Sequence, residues 1–94
     1  MPFVYIVQCK DGSLYTGIAK DVARRLAEHQ AGRASRYTRS RLPVLLAWSR
    51  RVPSWSHALR EEHRIKALPR TAKLALVQAA PRPGRLRGAA RSAR

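Results

Sequence analysis

Two short apolar segments lie three residues apart near the start of the chain, and together they restrict the folds that the chain can adopt. The first, Phe3–Cys9, is almost continuously apolar and rich in β-branched and aromatic residues, which is typical of a strand covered on both faces. The second, residues 13–18, follows the turn-forming pair Asp11-Gly12. The sequence therefore predicts an antiparallel β-hairpin as the first unit of the fold.

The length of the hairpin loop decides where two tyrosines lie. A two-residue loop would put Tyr5 and Tyr15 on opposite faces of the sheet, because side chains alternate along a strand. A three-residue loop, with Gly12 at positive φ, puts both tyrosines on one face. We predict the three-residue loop.

A helix follows the hairpin, and its inner face carries two ionisable side chains. Asp21 is a suitable N-cap for a helix that runs to about Gln30. At 3.6 residues per turn, four side chains fall within one narrow arc: Val22, Arg25, Leu26 and His29. Arg24 and Glu28 point away from that arc. An arginine and a histidine on an apolar face need either partners or a function.

A basic segment comes next, at residues 31–43. It contains four arginines, Tyr37 and three hydroxyl residues, a composition found in segments that grip a nucleic-acid backbone and also in ordinary solvated loops. Both interpretations stay open. A third apolar strand follows at residues 44–50, and Pro53 ends it.

A second helix begins at Ser54 or Ser56 and carries a carboxylate at an unusual position. Five side chains project onto one face, with Lys66 beside them: Trp55, Ala58, Leu59, Glu62 and Ile65. Glu62 thus stands where the pattern requires a hydrophobic residue, whereas Glu61 lies off this face. Burial without a partner would cost Glu62 several kcal/mol or force its protonation. A salt bridge to a core arginine and a metal ligand are the two interpretations.

The rest of the chain completes one small domain and adds a tail. Residues 71–80 form a third, short helix, with Leu74 and Val77 directed inward. We therefore expect one α+β domain over residues 1–80: a small central three-stranded, largely antiparallel sheet flanked by three helices. Residues 81–94 hold five arginines with Pro, Gly and Ala and no apolar period, which predicts a disordered Arg-rich tail that attracts phosphates.

The charge of the chain indicates a polyanionic partner. Twenty Lys and Arg residues stand against five acids, a formal net charge of +15. Nucleic acid is the first candidate, and an anionic membrane surface is second because no basic amphipathic anchor is evident. The single cysteine, Cys9, reads as a small buried hydrophobic residue. No segment has the length of a signal peptide or a transmembrane helix, so we expect a cytoplasmic protein.

The polar residues that these patterns single out match the needs of phosphodiester hydrolysis. That reaction requires an activated water, neutralised charge on the phosphoryl oxygens and help for the leaving oxygen. A tyrosine beside a cation can take a proton from water, arginine offers a planar fork of donors, and a carboxylate can hold a divalent metal. Tyr15, Arg25 and Glu62 fit these three roles. Gly17 would let substrate or a helix backbone approach the strand closely.

Several short motifs resemble the GIY-YIG nuclease superfamily. They are V-Y-I at residues 4–6, Y-T-G at residues 15–17, and an Asp, Arg and His spaced by three residues each at Asp21, Arg25 and His29. The segments R-Y-T-R-S-R-L-P and A-L-R-E-E-H-R-I-K-A-L are similar to its compact, single-domain bacterial branch. The Gly and Ile of the first signature are replaced here, and Thr16 replaces the Ile of the second. Neither change removes a chemically active group.

The resemblance implies one-metal cleavage of DNA by a defined set of residues. Tyr5 and Tyr15 occupy the two signature tyrosine positions, and Tyr15 is the expected general base. Arg25 would bind the phosphate, His29 would support the tyrosine network, and Glu62 would hold one Mg²⁺ or Mn²⁺ ion. We expect further nucleic-acid contacts from six residues: Gly17, Arg36, Tyr37, Arg39, Arg41 and Lys66.

The substrate and the role of the domain stay open at this point. Branched, nicked or single-stranded DNA, as occurs in DNA repair, are the candidate substrates, and a partner subunit could supply specificity. The alternative is a nucleic-acid-binding module with the nuclease fold and negligible activity. Such a module would not need a carboxylate facing a phosphate, because that carboxylate repels DNA unless a metal intervenes. RNA-directed or ribosome-associated roles are further alternatives.

Overall fold

The computed structural model describes residues 1–79, which form three strands and four helices. In chain order these are β1 (Phe3–Cys9), β2 (Leu14–Ala19), α1 (Val22–Gln30), α2 (Arg36–Arg39), β3 (Val44–Arg51), α3 (Trp55–Lys66) and α4 (Arg70–Ala79). The α+β fold class is confirmed. The predicted tail at residues 81–94 lies outside the described residues. Within residues 1–79, no helix has both the length and the apolar character needed to cross a membrane.

The sheet is antiparallel, with β1 between its two neighbours in the order β2-β1-β3. A central strand is covered on both faces, which explains the unbroken apolar sequence of β1. Its residues alternate between two apolar clusters. Val4 and Ile6 belong to the cluster under α3 and α4, and Tyr5, Val7 and Cys9 belong to the one under α1.

The three-residue hairpin loop is confirmed. Cys9 N–H donates to the Ser13 carbonyl at 2.9 Å, and Gly12 adopts a φ of +86°. The register that results pairs Val7 with Tyr15 and Tyr5 with Gly17. Because paired residues of an antiparallel ladder project to the same side, Tyr5 and Tyr15 share one face of the sheet.

A four-residue helix, α2, lies within the segment that the sequence predicts as a loop, so the sheet has four helices around it. Ser35 is the N-cap, and its side chain accepts a hydrogen bond from the Tyr37 N–H at 3.1 Å. One helical turn is too short to show an apolar period, which is why the sequence pattern gives no sign of it.

Helix α3 packs through a narrower stripe than the sequence predicts. Ala58 and Ile65 are buried, but Trp55 is 45% exposed and Leu59 is 48% exposed, so their inward placement is wrong. Residues seven apart lie almost directly above one another on a helix, and the pair Ala58 and Ile65 therefore marks the line of contact. In α4, Val77 is buried as predicted, whereas it is Leu76 that packs against the core beside it.

Candidate active site

A chain of hydrogen bonds runs through the interior on the α1 side of the sheet. The Tyr5 hydroxyl lies 2.8 Å from His29 Nε2, and His29 Nδ1 lies 2.8 Å from Thr38 Oγ1. All three side chains are buried. The sequence pattern selects Tyr5 and His29 but misses Thr38, which sits in a segment without apolar periodicity. A hydroxyl in a basic loop gives no signal of burial by itself.

Burial determines the protonation states of His29 and Tyr5. Desolvation lowers the pKa of His29, the charge of Arg25 lowers it further, and Glu28 opposes the change. Desolvation raises the pKa of Tyr5, and the neighbouring Arg25 opposes that rise, while Tyr15 and Glu62 add to it. His29 is therefore neutral, and Tyr5 keeps its proton, at neutral pH.

Arg25 lies at the edge of this cluster with an ionic partner. Its Nη1 donates to Glu28 Oε1 at 2.8 Å, in contrast to the prediction that Glu28 points away. An i,i+3 spacing brings the two side chains together even though their Cα positions face different directions. Contact with Glu28 raises the pKa of Arg25, and proximity to Tyr5 contributes as well. A guanidinium has five N–H donors, so one ion pair leaves Arg25 donors for a second anion.

Tyr15 links the interior to the surface. Its ring meets the His29 ring edge-on, with centroids 5.3 Å apart, and stacks on Tyr37 at 5.9 Å. The Arg41 guanidinium also lies against the Tyr37 ring, 4.0 Å from its centroid. Tyr37 is 38% exposed. The aromatic rings thus continue from buried His29 to the solvent through Tyr15.

Helix α3 brings Glu62 and Lys66 near the two tyrosines. Lys66 Nζ lies 3.3 Å from Glu62 Oε2 and 5.8 Å from the Tyr15 ring centroid. Glu62 is close enough to Tyr5 for its charge to affect the pKa of that hydroxyl. The interpretation of Glu62 as the partner of a core arginine is wrong, because its partner is the exposed Lys66 on the same helix.

Glu61, the other acidic residue of α3, has different partners. Glu61 pairs with Arg64 at 2.8 Å and with Arg50 at 3.4 Å. These contacts lower the pKa of Glu61, chiefly through the hydrogen bond from Arg64. Two adjacent carboxylates thus have different surroundings, as the helical projection predicts.

Gly17 makes room for Tyr5. A Cβ on Gly17 would lie 2.5 Å from the Tyr5 hydroxyl oxygen and 2.6 Å from the ring carbon that bears it. The side chain of Tyr5 therefore occupies the space that the sequence pattern leaves for substrate or for a helix backbone. Gly17 belongs to the site because it fixes where Tyr5 can lie.

The remaining basic candidates lie on or beside α2. Arg36 and Arg39 are exposed on this helix. Arg41 is held in place, because its Nε donates to Asp11 at 3.0 Å and its Nη1 donates to the Tyr37 carbonyl at 2.9 Å. The ion pair with Asp11 joins the end of the basic segment to the hairpin turn.

Known proteins are similar in sequence to this chain over most of its length. Residues 1–75 match the family model described as the GIY-YIG catalytic domain. A UPF0213 protein of Halobacterium salinarum is 50% identical over 76 residues, which cover 81% of this chain and 99% of that protein. One from Staphylococcus saprophyticus is 45% identical over 75 residues, covering 80% and 92% of the two chains.

A solved structure has the same fold. The UPF0213 protein of Bacillus halodurans, determined by solution NMR, shares 42% identity with this chain at a TM-score of 0.57. The alignment covers 89% of this chain and 90% of that one. The family match spans both signature tyrosines, Arg25, His29 and Glu62. The chain belongs to the GIY-YIG family of nuclease domains.

Proposed function

We propose that this protein is a metal-dependent endonuclease that hydrolyses phosphodiester bonds in DNA. Tyr15 is the general base, Arg25 stabilises the phosphate, and Glu62 holds one divalent metal ion. The observation that carries the proposal is that these groups lie near one another around Tyr5 and Tyr15. Tyr15 shares a face with Tyr5, and Arg25 borders the Tyr5 hydroxyl. Glu62 is close enough to raise the pKa of Tyr5, and its partner Lys66 lies 5.8 Å from the Tyr15 ring centroid.

The donor set fits a metal that is shared with the substrate. Among residues 1–79 there is no cluster of three or more His, Cys, Asp or Glu side chains that could hold an ion alone. Magnesium commonly binds through one or two carboxylates together with phosphate oxygens and waters. Glu62 is only partly buried and can offer such a carboxylate. The metal would be Mg²⁺ or Mn²⁺, and when bound it supplies Lewis-acid stabilisation of the phosphoryl charge.

The side chains of the protein account for the remaining requirements. In its phenolate form, Tyr15 accepts a proton from the attacking water, and its ring is held between His29 and Tyr37. Arg25 donates to the phosphoryl oxygens from the N–H groups that Glu28 does not occupy. The Tyr5 hydroxyl lies 2.8 Å from His29 Nε2 and next to Arg25, and its oxygen can accept a hydrogen bond from that guanidinium.

The same side of the molecule offers a track for the nucleic-acid backbone. We assign this role to solvent-accessible side chains on and next to α2 and at the end of α3: Arg36, Tyr37, Arg39, Arg41 and Lys66. Tyr37 and the Arg41 guanidinium against its ring together offer a planar surface for an unpaired base, which suits branched, nicked or single-stranded substrates such as those of DNA repair. The proposal includes a cytoplasmic location and leaves room for a partner subunit that adds specificity.

The decisive experiment compares two neighbouring carboxylates. Supercoiled plasmid is incubated with the full chain and Mg²⁺ or Mn²⁺, and nicking is followed over time for wild type, Glu62→Ala and Glu61→Ala. We expect nicking by wild type and Glu61→Ala, and a loss of about 100-fold or more in Glu62→Ala, because general acid–base and metal terms each contribute at this scale. EDTA should abolish the activity of all variants.

The outcomes separate the enzyme from a binding module. Equal residual nicking by wild type and Glu62→Ala would indicate a contaminating nuclease and overturn the assignment. DNA binding without metal-dependent nicking in wild type would favour the binding module with a nuclease fold. A second matched pair is Arg25→Ala against Arg24→Ala, since the Arg24 side chain is 80% exposed.

A further inference from the structure

Thr38 is a buried side chain of the site that the helical pattern of the sequence does not single out. It lies on α2, the short helix whose other residues face solvent, and it is fully buried beneath them. Its hydroxyl contacts His29 Nδ1 at 2.8 Å and the Ser35 carbonyl at 3.3 Å. A buried hydroxyl between an imidazole and a carbonyl has a defined direction of hydrogen bonding, and that direction can be worked out by counting protons.

Three hydrogen bonds in series share three protons. A carbonyl oxygen can only accept, so the Thr38 hydroxyl donates to Ser35 and must accept from His29 Nδ1. The neutral imidazole has a single N–H, which is then on Nδ1. Nε2 is left as an acceptor, and the Tyr5 hydroxyl donates to it.

The far end of the series is satisfied by the same direction. The Arg25 guanidinium lies next to the Tyr5 hydroxyl, and a guanidinium has donors only. The Tyr5 oxygen therefore accepts on that side, which leaves its own proton available for His29. Burial of the imidazole keeps it neutral, since desolvation lowers its pKa. The Ser35 carbonyl at one end selects this arrangement, and the Arg25 guanidinium at the other end is satisfied by it.

We propose that Thr38 is a positioning residue that fixes His29 as the Nδ1–H tautomer. This tautomer makes Nε2 the acceptor for the Tyr5 proton and directs the lone pairs of the Tyr5 oxygen toward Arg25 and the cleft. The consequence for catalysis rests on the proposed nuclease function, whereas the tautomer does not. With the opposite tautomer, Tyr5 would have to accept from both His29 and Arg25, and its proton would turn toward the cleft.

Two substitutions separate the hydroxyl of Thr38 from its shape. Thr38→Val keeps the volume but removes the acceptor, so Nδ1–H would be buried without a partner and the proton should move to Nε2. Thr38→Ser keeps the hydroxyl and should preserve the wild-type tautomer. Full-length protein with ¹⁵N-labelled histidine distinguishes the two states, because protonated and unprotonated ring nitrogens differ widely in ¹⁵N shift and in their couplings to the ring protons.

We expect Nδ1–H in wild type and Thr38→Ser, and Nε2–H or a mixture in Thr38→Val. Nicking should fall about tenfold or more in Thr38→Val and stay near wild type in Thr38→Ser. An Nε2–H tautomer in wild type would overturn the proposal even if Thr38→Val fails to fold. An unchanged tautomer in a folded Thr38→Val would overturn it as well. Absence of nicking in wild type would reject the nuclease function alone, since the spectra would still report the tautomer.

Discussion

Single residues in this protein act through the space they leave as well as through the groups they carry. Gly17 is such a residue, because the Tyr5 side chain fills the volume above it. Substitution Gly17→Ala would place a methyl group 2.5 Å from the Tyr5 hydroxyl oxygen, and Tyr5 would have to move. A substitution at Gly17 can therefore disturb the site by displacing Tyr5, without changing any group that contacts substrate.

The prediction for Gly17→Ala is a folded but impaired protein. Overpacking should lower the free energy of unfolding by about 1–3 kcal/mol, and the shift of Tyr5 away from His29 should reduce nicking by at least about tenfold. Urea denaturation and plasmid nicking measure the two effects. Tyr5→Phe is the matched variant, because it removes the hydroxyl and leaves the glycine. Full activity in Gly17→Ala would contradict the placement of Tyr5.

Protonation of His29 should destabilise the fold. Its pKa is lowered in the folded state by burial, so at pH values below its ordinary pKa of about 6.5 the unfolded chain binds a proton that the folded chain does not. Stability is therefore highest above that pH. It decreases as the pH falls from about 7 through 6, by at most about 1.4 kcal/mol per pH unit.

Urea unfolding at constant ionic strength, measured between about pH 7.5 and 5.5, checks this expectation. The pH dependence should be smaller in His29→Gln and unchanged in His63→Gln, because His63 is exposed. The carboxylates with lowered pKa values, Asp11, Glu28 and Glu61, lose their protons at lower pH and do not interfere. A similar slope in His29→Gln and wild type would assign the effect to another group.

Helical periodicity in the sequence identified some residues of the site, and it could not identify the others. Arg25, His29 and Glu62 break an apolar pattern, and a broken pattern is visible in a sequence. Thr38 breaks no pattern, because its helix has one turn. Which side chain fills the space over Gly17 depends on strand register and ring orientation, which the sequence restricts without determining.

Among the elements, strand β3 has an exposed edge that α1 covers with a single side chain. The Gln30 amide donates from Nε2 to the Val44 carbonyl, and its Oε1 accepts from the Val44 N–H at 3.2 Å. Both backbone groups lie at the start of the strand, on the side away from β1. One side-chain amide thus replaces one residue of a missing neighbouring strand.

Removal of this amide should loosen the start of β3. We expect Gln30→Ala to lower the free energy of unfolding by about 1–3 kcal/mol, because two backbone groups lose their partner. Gln78→Ala, at an exposed glutamine on α4, is the control and should have little effect. Circular dichroism during urea unfolding measures both. Equal stability of the two variants would show that solvent replaces the amide without cost.

The order and type of the long elements follow from the sequence, but the packing angle of α3 does not. The helix pattern defined a face wide enough to include Trp55 and Leu59, whereas the three-stranded sheet contacts only the stripe along Ala58 and Ile65. Amphipathicity indicates which half of a helix turns inward. The width of the contact depends on the partner surface, and a sheet of three strands offers a narrow one.

At the scale of the whole molecule, most acidic side chains form ion pairs with nearby basic residues, and the excess of positive charge is not neutralised. Four of the five acids form ion pairs within residues 1–79, and Asp21 caps α1 by accepting from the Arg24 N–H. Exposed pairs of this kind add little stability. The remaining positive charge therefore acts on distant anions, and we expect it to dominate the affinity for nucleic acid.

The salt dependence of DNA binding should report the contribution of the C-terminal segment. Deletion of residues 81–94 removes five arginines. For every phosphate that this segment neutralises, the deletion should reduce the slope of log affinity against log salt by about 0.9. Fluorescence anisotropy of a labelled duplex at several salt concentrations measures that slope. A variant with lysine in place of these arginines should keep it, and an equal slope in the deletion would show that the segment does not touch the duplex.

The two tryptophans of this protein lie in opposite surroundings, and this gives the molecule two separate optical signals. Trp48 is 3% exposed beneath the guanidinium of Arg50, whereas Trp55 faces solvent two helical turns before Glu62. Replacing either one with phenylalanine leaves a single tryptophan, whose fluorescence can be measured separately. The buried indole would then follow unfolding, and the exposed one would follow the arrival of a ligand along α3. Ligand binding and unfolding can thus be followed by intrinsic tryptophan fluorescence, without an attached dye.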